Sequence, residues 1–282
     1  MALSYKTILV SLNELSRLPQ LLAVAAAAAR SFGAHISGLY VIPAVQLYPS
    51  MGFEAVPQVF DGNQIYFKDN QEKVRASFEE TMKKEGLKFD LHVVQGATAS
   101  IADEVVTQGR SADLIILSAT NADESTGVEA DFVEQTVMAA GRPVLVLPFK
   151  GDAKLNLNDI VLGWNGDREA ARAAFDALPF LKAAKKVRVV RTDPQKDPNL
   201  KGVVAGADLA ETLSRHGVKA EAMSFPTAGE DAGHALLRCA DDGGCGLIVM
   251  GAYGHSRLRE YIFGGATQYV LNHLTRPVLM SH

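Results

Sequence analysis

The chain has 282 residues, with 28 Lys and Arg against 32 Asp and Glu, a formal net charge of −4, so no overall positive field draws it to nucleic acid or to an anionic membrane. Hydrophobic residues at 48% and charged residues at 21% match a soluble globular protein and exclude a disordered, collagen-like or disulfide-stapled chain. The length is about twice that of an ordinary domain and predicts two of them.

Residues 6–13 (KTILVSLN) read as a buried strand. The alanine-rich run at 21–29, which follows Pro19, is a helix far shorter than the roughly 20 residues of a membrane span. Neither an export signal nor a membrane segment is expected, and with only Cys239 and Cys245 present the chemistry suits a reducing cytoplasm. The segment 40–66, with Tyr48, Pro49, Met51, Phe53, Pro57 and Phe60, is too apolar for a tail and too broken for one regular element. It is expected to cover either a pocket or an interface.

Strand 113–118 (DLIILS) and the ending 142–145 (RPVL) close the first half, and a join is expected near 150–156. The same signals then recur. Residues 158–165 (NDIVLGWN) repeat 6–13, 246–251 (GLIVMG) repeats 113–118, and 276–279 (RPVL) repeats 142–145. Three pairs in one order define a duplication, with domains at 1–150 and 151–282. In the second copy, apolar runs at 160–162, 187–190, 220–224, 247–250 and 277–280 alternate with helical patterns at 168–178, 203–216 and 231–240. Continuous apolar strands separated by helices predict parallel sheets buried on both faces. The fold class is therefore α/β, two Rossmann-like doubly wound units, each expected to hold its ligand beyond the carboxyl ends of its strands.

Beyond the fourth strand of the second copy runs Gly251-x2-Gly254-x9-Gly264, then a helix pattern. Glycines there let backbone N–H groups approach an anion at a helix N-terminus, although such glycines also serve a plain turn. Trp164, at the tip of the first strand, either walls a pocket or packs under a helix. The seven histidines show no paired spacing of the kind zinc sites use, and no metal ligand set is expected.

The glycine spacing, its strand context and the Arg276-Pro277-Val278-Leu279 ending together resemble the universal stress protein (UspA) family, and the resemblance extends to both halves. It implies five-stranded parallel sheets of order 3-2-1-4-5, a bound adenine nucleotide such as ATP in some members, with or without magnesium, and pairing through the last strand. Carried onto this sequence, the nucleotide site comprises Asn165, Thr192, Met250, Gly251, Gly254, His255, Gly264, Gly265, Ala266 and Thr267. Two positions depart from the family. Gly265 stands where nucleotide-binding members have Ser or Thr, so that Thr267 is left to supply a hydroxyl, and uncharged Asn165 stands where they have an acid. The first half matches neither Gly251 nor Gly254 and carries Asp123, Glu124, Glu129 and Asp131 instead, which predicts a degenerate site. The two units are expected to form an internal pseudo-dimer, 144–147 against 278–280, with a homodimer of chains left open. No base or nucleophile marks a catalyst, so the function expected is a stress-response binding module. The alternative is a structural or interaction protein without nucleotide.

Overall fold

The computed structural model describes residues 4–45, 57–120, 127–151, 153–192, 206–254 and 265–282. They divide into two units, Tyr5–Ala140 and a second that contains Gly141–His282.

The amino-terminal unit alternates strand and helix: β1 (Thr7–Ser11), α1 (Leu18–Phe32), β2 (His35–Ile42), α2 (Pro57–Lys84), β3 (Phe89–Gln95), α3 (Ile101–Gly109), β4 (Leu114–Ser118) and α4 (Phe132–Ala139). Its strands lie in the order β3-β2-β1-β4, all parallel. Ile8, Val10, Leu114, Ile115 and Ile116 are completely buried, as a sheet covered on both faces requires. Helix α1 starts with Pro19 in its first turn and stops at Gly33, whose φ of +60° puts the chain in the left-handed region that ends helices.

Residues 40–66 do not form an irregular excursion throughout. Tyr40 to Ile42 complete β2, and from Pro57 the chain is a single 28-residue helix, α2. A proline at a helix start loses no hydrogen bond, and Gly62 costs only about 1 kcal/mol against alanine, so neither breaks it. The rest of the segment, 46–56, lies outside the described residues.

The carboxy-terminal unit contains β5 (Val144–Leu147), β6 (Asp159–Gly163), α5 (Arg168–Asp176), α6 (Leu178–Ala183), β7 (Lys186–Thr192), α7 (Ala207–Arg215), β8 (Ala220–Phe225), α8 (Ala232–Asp242), β9 (Leu247–Gly251), α9 (Gly265–Asn272) and β10 (Val278–Ser281). Strands β6 to β10 are parallel and stand in the order 3-2-1-4-5 for this repeat. Beside β10 lies β5, antiparallel, with Leu145 opposite Leu279. Strand β5 groups with the second unit, which takes in Gly141–His282. Helix α6 breaks off from the single helix expected over 168–178, since Pro179 lies in its first turn.

Candidate functional site

The site is built at the carboxyl ends of β6, β7 and β9. At the tip of β6, Trp164 N–H donates to Val190 O (2.8 Å), continuing the ladder with β7 by one residue. The chain then turns at Asn165-Gly166, with Gly166 at φ +87°, a value that only glycine adopts without strain. The Asn165 carboxamide oxygen accepts the Asp167 N–H (3.0 Å), and its amide group donates to the Asp167 carboxylate. This local turn delivers the chain into α5, so the Asn165 side chain already has partners in the β6–α5 connection.

Two glycines allow backbone to touch backbone. A methyl group on Gly251 would lie 2.5 Å from Ala170 N and 2.5 Å from Glu169 C, so the end of β9 rests directly on the first turn of α5. A methyl group on Gly233 would lie 2.5 Å from Ala266 O, so α8 meets the first turn of α9 just as closely. Between Gly251 and Gly254, Tyr253 is held at φ +58°, a strained value for a non-glycine residue. Its N–H donates to Thr267 Oγ1 (3.3 Å), which ties the exit of β9 to α9.

These approaches enclose a cavity of about 390 Å³. Eight of the ten residues singled out by the sequence line it: Asn165, Thr192, Met250, Gly251, Gly254, Gly265, Ala266 and Thr267. His255 and Gly264 fall outside the described residues. Trp164 both lines the cavity and packs beside Gly206, where an added methyl would lie 3.3 Å from its Cδ1. Thr267 is 4% exposed, and its oxygen is held by the Tyr253 amide. Among the described residues, nothing lies within 4 Å of a methyl group built on Gly265.

Sequence reasoning missed Glu169. It is 6% exposed and is the only charged side chain among the described residues that line the cavity. Arg168 Nη2 donates to its Oε1 at 3.0 Å. Burial opposes ionisation of Glu169, but its own backbone N–H and the Arg168 guanidinium outweigh that effect and hold its carboxyl below the ordinary value.

The family model of the universal stress protein family matches residues 156–282. Residues 156–282 are a universal stress protein domain. Across the longer chain, a universal stress protein of Synechocystis sp. is 25% identical over 274 residues, covering 89% of this chain and 91% of that protein. In fold, the crystal structure of a universal stress protein from Archaeoglobus fulgidus is similar with a TM-score of 0.71 at 15% identity, covering 98% of this chain and 97% of that one. A functionally unknown Pseudomonas aeruginosa protein is similar at 0.60 and 15% identity, with 98% and 92% covered. The two-unit, universal stress protein fold thus extends beyond the matched domain.

In the amino-terminal unit the corresponding ends of the strands keep a smaller cavity, about 210 Å³, lined by Pro43, Asn63, Gln64, Gly127 and Glu129 among others, and the protein's own groups narrow it. Tyr40 OH donates to Phe67 O (2.8 Å), Gln64 Nε2 donates to Pro43 O (3.2 Å), and a methyl on Gly127 would lie 3.1 Å from the Phe67 ring. Helix α2 therefore crosses over the end of β2. Glu129 turns its carboxylate onto the start of α3, accepting the Ile101 N–H, and its Oε2 is buried with no hydrogen-bond partner among the described residues. Burial raises the Glu129 carboxyl despite the donors at Ser100, Ile101 and Ala102, and burial likewise raises that of Glu134.

A carboxyl that is harder to ionise in the folded than in the unfolded chain stabilises the fold when protonated. The contribution of these two carboxyls to the stability of this unit is therefore expected to rise as pH falls from 7 towards 4.5, the ordinary glutamate value. Denaturant midpoints at pH 7 and 5, for the wild type and Glu129→Gln, check this. The rise should shrink in the variant.

Cysteines 239 and 245 are both buried, and burial pushes the Cys239 thiol up to about 11, which makes it a core residue and a poor nucleophile at neutral pH. No described helix is long and apolar enough to cross a membrane.

Proposed function

We propose that the carboxy-terminal universal stress protein domain binds an adenine nucleotide, ATP or another, and that the protein acts in the cytoplasm as a stress-response binding module. The observation that carries this reading is the cavity itself, around which Asn165, Thr192, Gly251, Gly254 and the first turn of α9 converge. The residues fit such a ligand. A planar base can lie against Trp164 and Val190 near the end of β7, and phosphate can meet the first N–H groups of α9, where the helix dipole favours negative charge. Thr267, whose oxygen is fixed by Tyr253, still has a hydroxyl proton to donate. Among the described residues nothing fills the side-chain space at Gly265, so the hydroxyl found there in nucleotide-binding members is missing for want of a side chain. No residue is assigned as base or nucleophile, so steady turnover is not part of the proposal. The competing reading, a pairing module or a receptor for a different small ligand, is favoured by Asn165 being engaged with Asp167.

Trp164 is the only tryptophan, so its emission reports on the cavity wall alone. Titration of AMP, ADP and ATP, with and without magnesium, should change that emission and release or absorb heat for at least one of them. Gly254→Val should weaken binding at least about tenfold, because its Cβ would already lie 3.3 Å from Glu169 Oε2. Gly265→Ser should tighten it several-fold by adding one hydroxyl bond to phosphate, about 1 kcal/mol. Neither heat nor an emission change under any of these conditions would overturn the reading in favour of its competitor.

A further inference from the structure

Three helices present their N-terminal ends to the cavity: α5, α8 through Ala232 and Gly233, and α9. The three ends differ in what already covers them. In α5 the second residue is Glu169, whose carboxylate folds back on its own backbone N–H and is 6% exposed. The positive end of α5 is thus already faced by an anion supplied by the chain. In α9 the first three residues are Gly265, Ala266 and Thr267, none of them acidic. In α8 the Asp231 carboxylate caps the end and accepts the His234 N–H, so among the described residues α9 alone of the three carries no acidic side chain at its start.

The negative charge at α5 also reaches towards the glycine loop. A methyl group on Gly254 would lie 3.3 Å from Glu169 Oε2 and 3.8 Å from Asp167 Oδ2, so two carboxylates border the space beside that glycine. The guanidinium that pairs with Glu169 Oε1 belongs to Arg168, whose side chain is 81% exposed. Its charge is spread into water, whereas the carboxylate stands at the buried wall, where a like charge is felt most strongly.

We infer that Glu169 makes the cavity selective by charge: it takes adenosine or its monophosphate, with one phosphate at the start of α9, and discriminates against the free di- and triphosphates. The inference rests on the nucleotide reading above and narrows it to a ligand class. Glu169 acts as a specificity-determining residue, through a fixed charge that each added phosphate must approach.

The test is calorimetric titration of adenosine, AMP, ADP and ATP in EDTA, with Trp164 emission as a parallel readout, into wild type and Glu169→Gln. Wild type should bind ATP at least about tenfold more weakly than AMP. In Glu169→Gln that ratio should close by about tenfold while adenosine affinity changes less than about twofold, since glutamine keeps the shape and removes only the charge. Equal affinities for AMP and ATP in wild type, or a preference for ATP, would overturn the inference and leave the nucleotide reading standing. An AMP-to-ATP ratio unchanged by Glu169→Gln would overturn it too. Absence of binding by all four compounds removes both. If Glu169→Gln does not fold, Glu169→Ala takes its place in the same comparison, and an AMP-to-ATP ratio that it leaves unchanged counts against Glu169.

Discussion

Gly251→Ala is expected to destabilise the carboxy-terminal domain by about 3 kcal/mol or more, lowering its melting temperature by about 10 °C. The added methyl would stand 2.5 Å from two backbone atoms of α5, and backbone in a helix cannot yield as a side-chain tip can. Strand β9 lies at the centre of the sheet, where Leu247, Ile248 and Val249 are completely buried, so neither partner can move aside. Gly265→Ala is the internal control. Among the described residues nothing lies within 4 Å of its added methyl, and its effect should stay within about 0.5 kcal/mol. Thermal melts followed by Trp164 emission compare the two directly. Equal melting temperatures would show that α5 does not rest on β9 as described.

The second large effect is expected in the other unit. Phe67→Ala should cost about 3–5 kcal/mol. The ring is completely buried, meets Tyr40 edge-on at 6.0 Å and fills the space beside Gly127, while its carbonyl accepts the Tyr40 hydroxyl. Burial raises the Tyr40 phenol further above its ordinary value, so it stays a donor across the accessible pH range. Ile65→Ala, two residues away and 53% exposed, should change stability by less than about 0.5 kcal/mol. Hydrogen exchange would localise the loss, since amides of β2 and α2 should exchange faster in Phe67→Ala and unchanged in Ile65→Ala.

The strands of the second repeat were legible because parallel strands buried on both faces must be written as unbroken apolar runs. The run at 247–250 appears in the structure as Leu247–Gly251, and 160–162 as Asp159–Gly163. The glycine loop was legible for a related reason, since β9 can approach α5 only through a residue without a side chain. Glu169 was not. An acid in the first turn of a helix is an ordinary stabilising feature, and nothing in the local sequence says that α5 turns this residue towards a cavity. Gly233 did leave a signal, being a glycine inside a helical pattern two residues after the Asp231 cap, where it costs stability unless something passes close by. Helix α2 was obscured by Pro57 and Gly62. Both read as breakers when taken singly, yet one stands at the helix start and the other has open space around its α-carbon.

Strand β10 is bordered on one side by β9 and on the other by β5. A terminal strand with an open edge can recruit another chain, so in a single-repeat protein such an edge amounts to a valence for association. Here the duplication satisfies that valence from within. Residues 144–147 occupy the place that a second molecule would otherwise take, at an effective concentration fixed by the covalent link and independent of how much protein the cell makes. The pairing of β10 with β5 is made within one chain and does not depend on protein concentration.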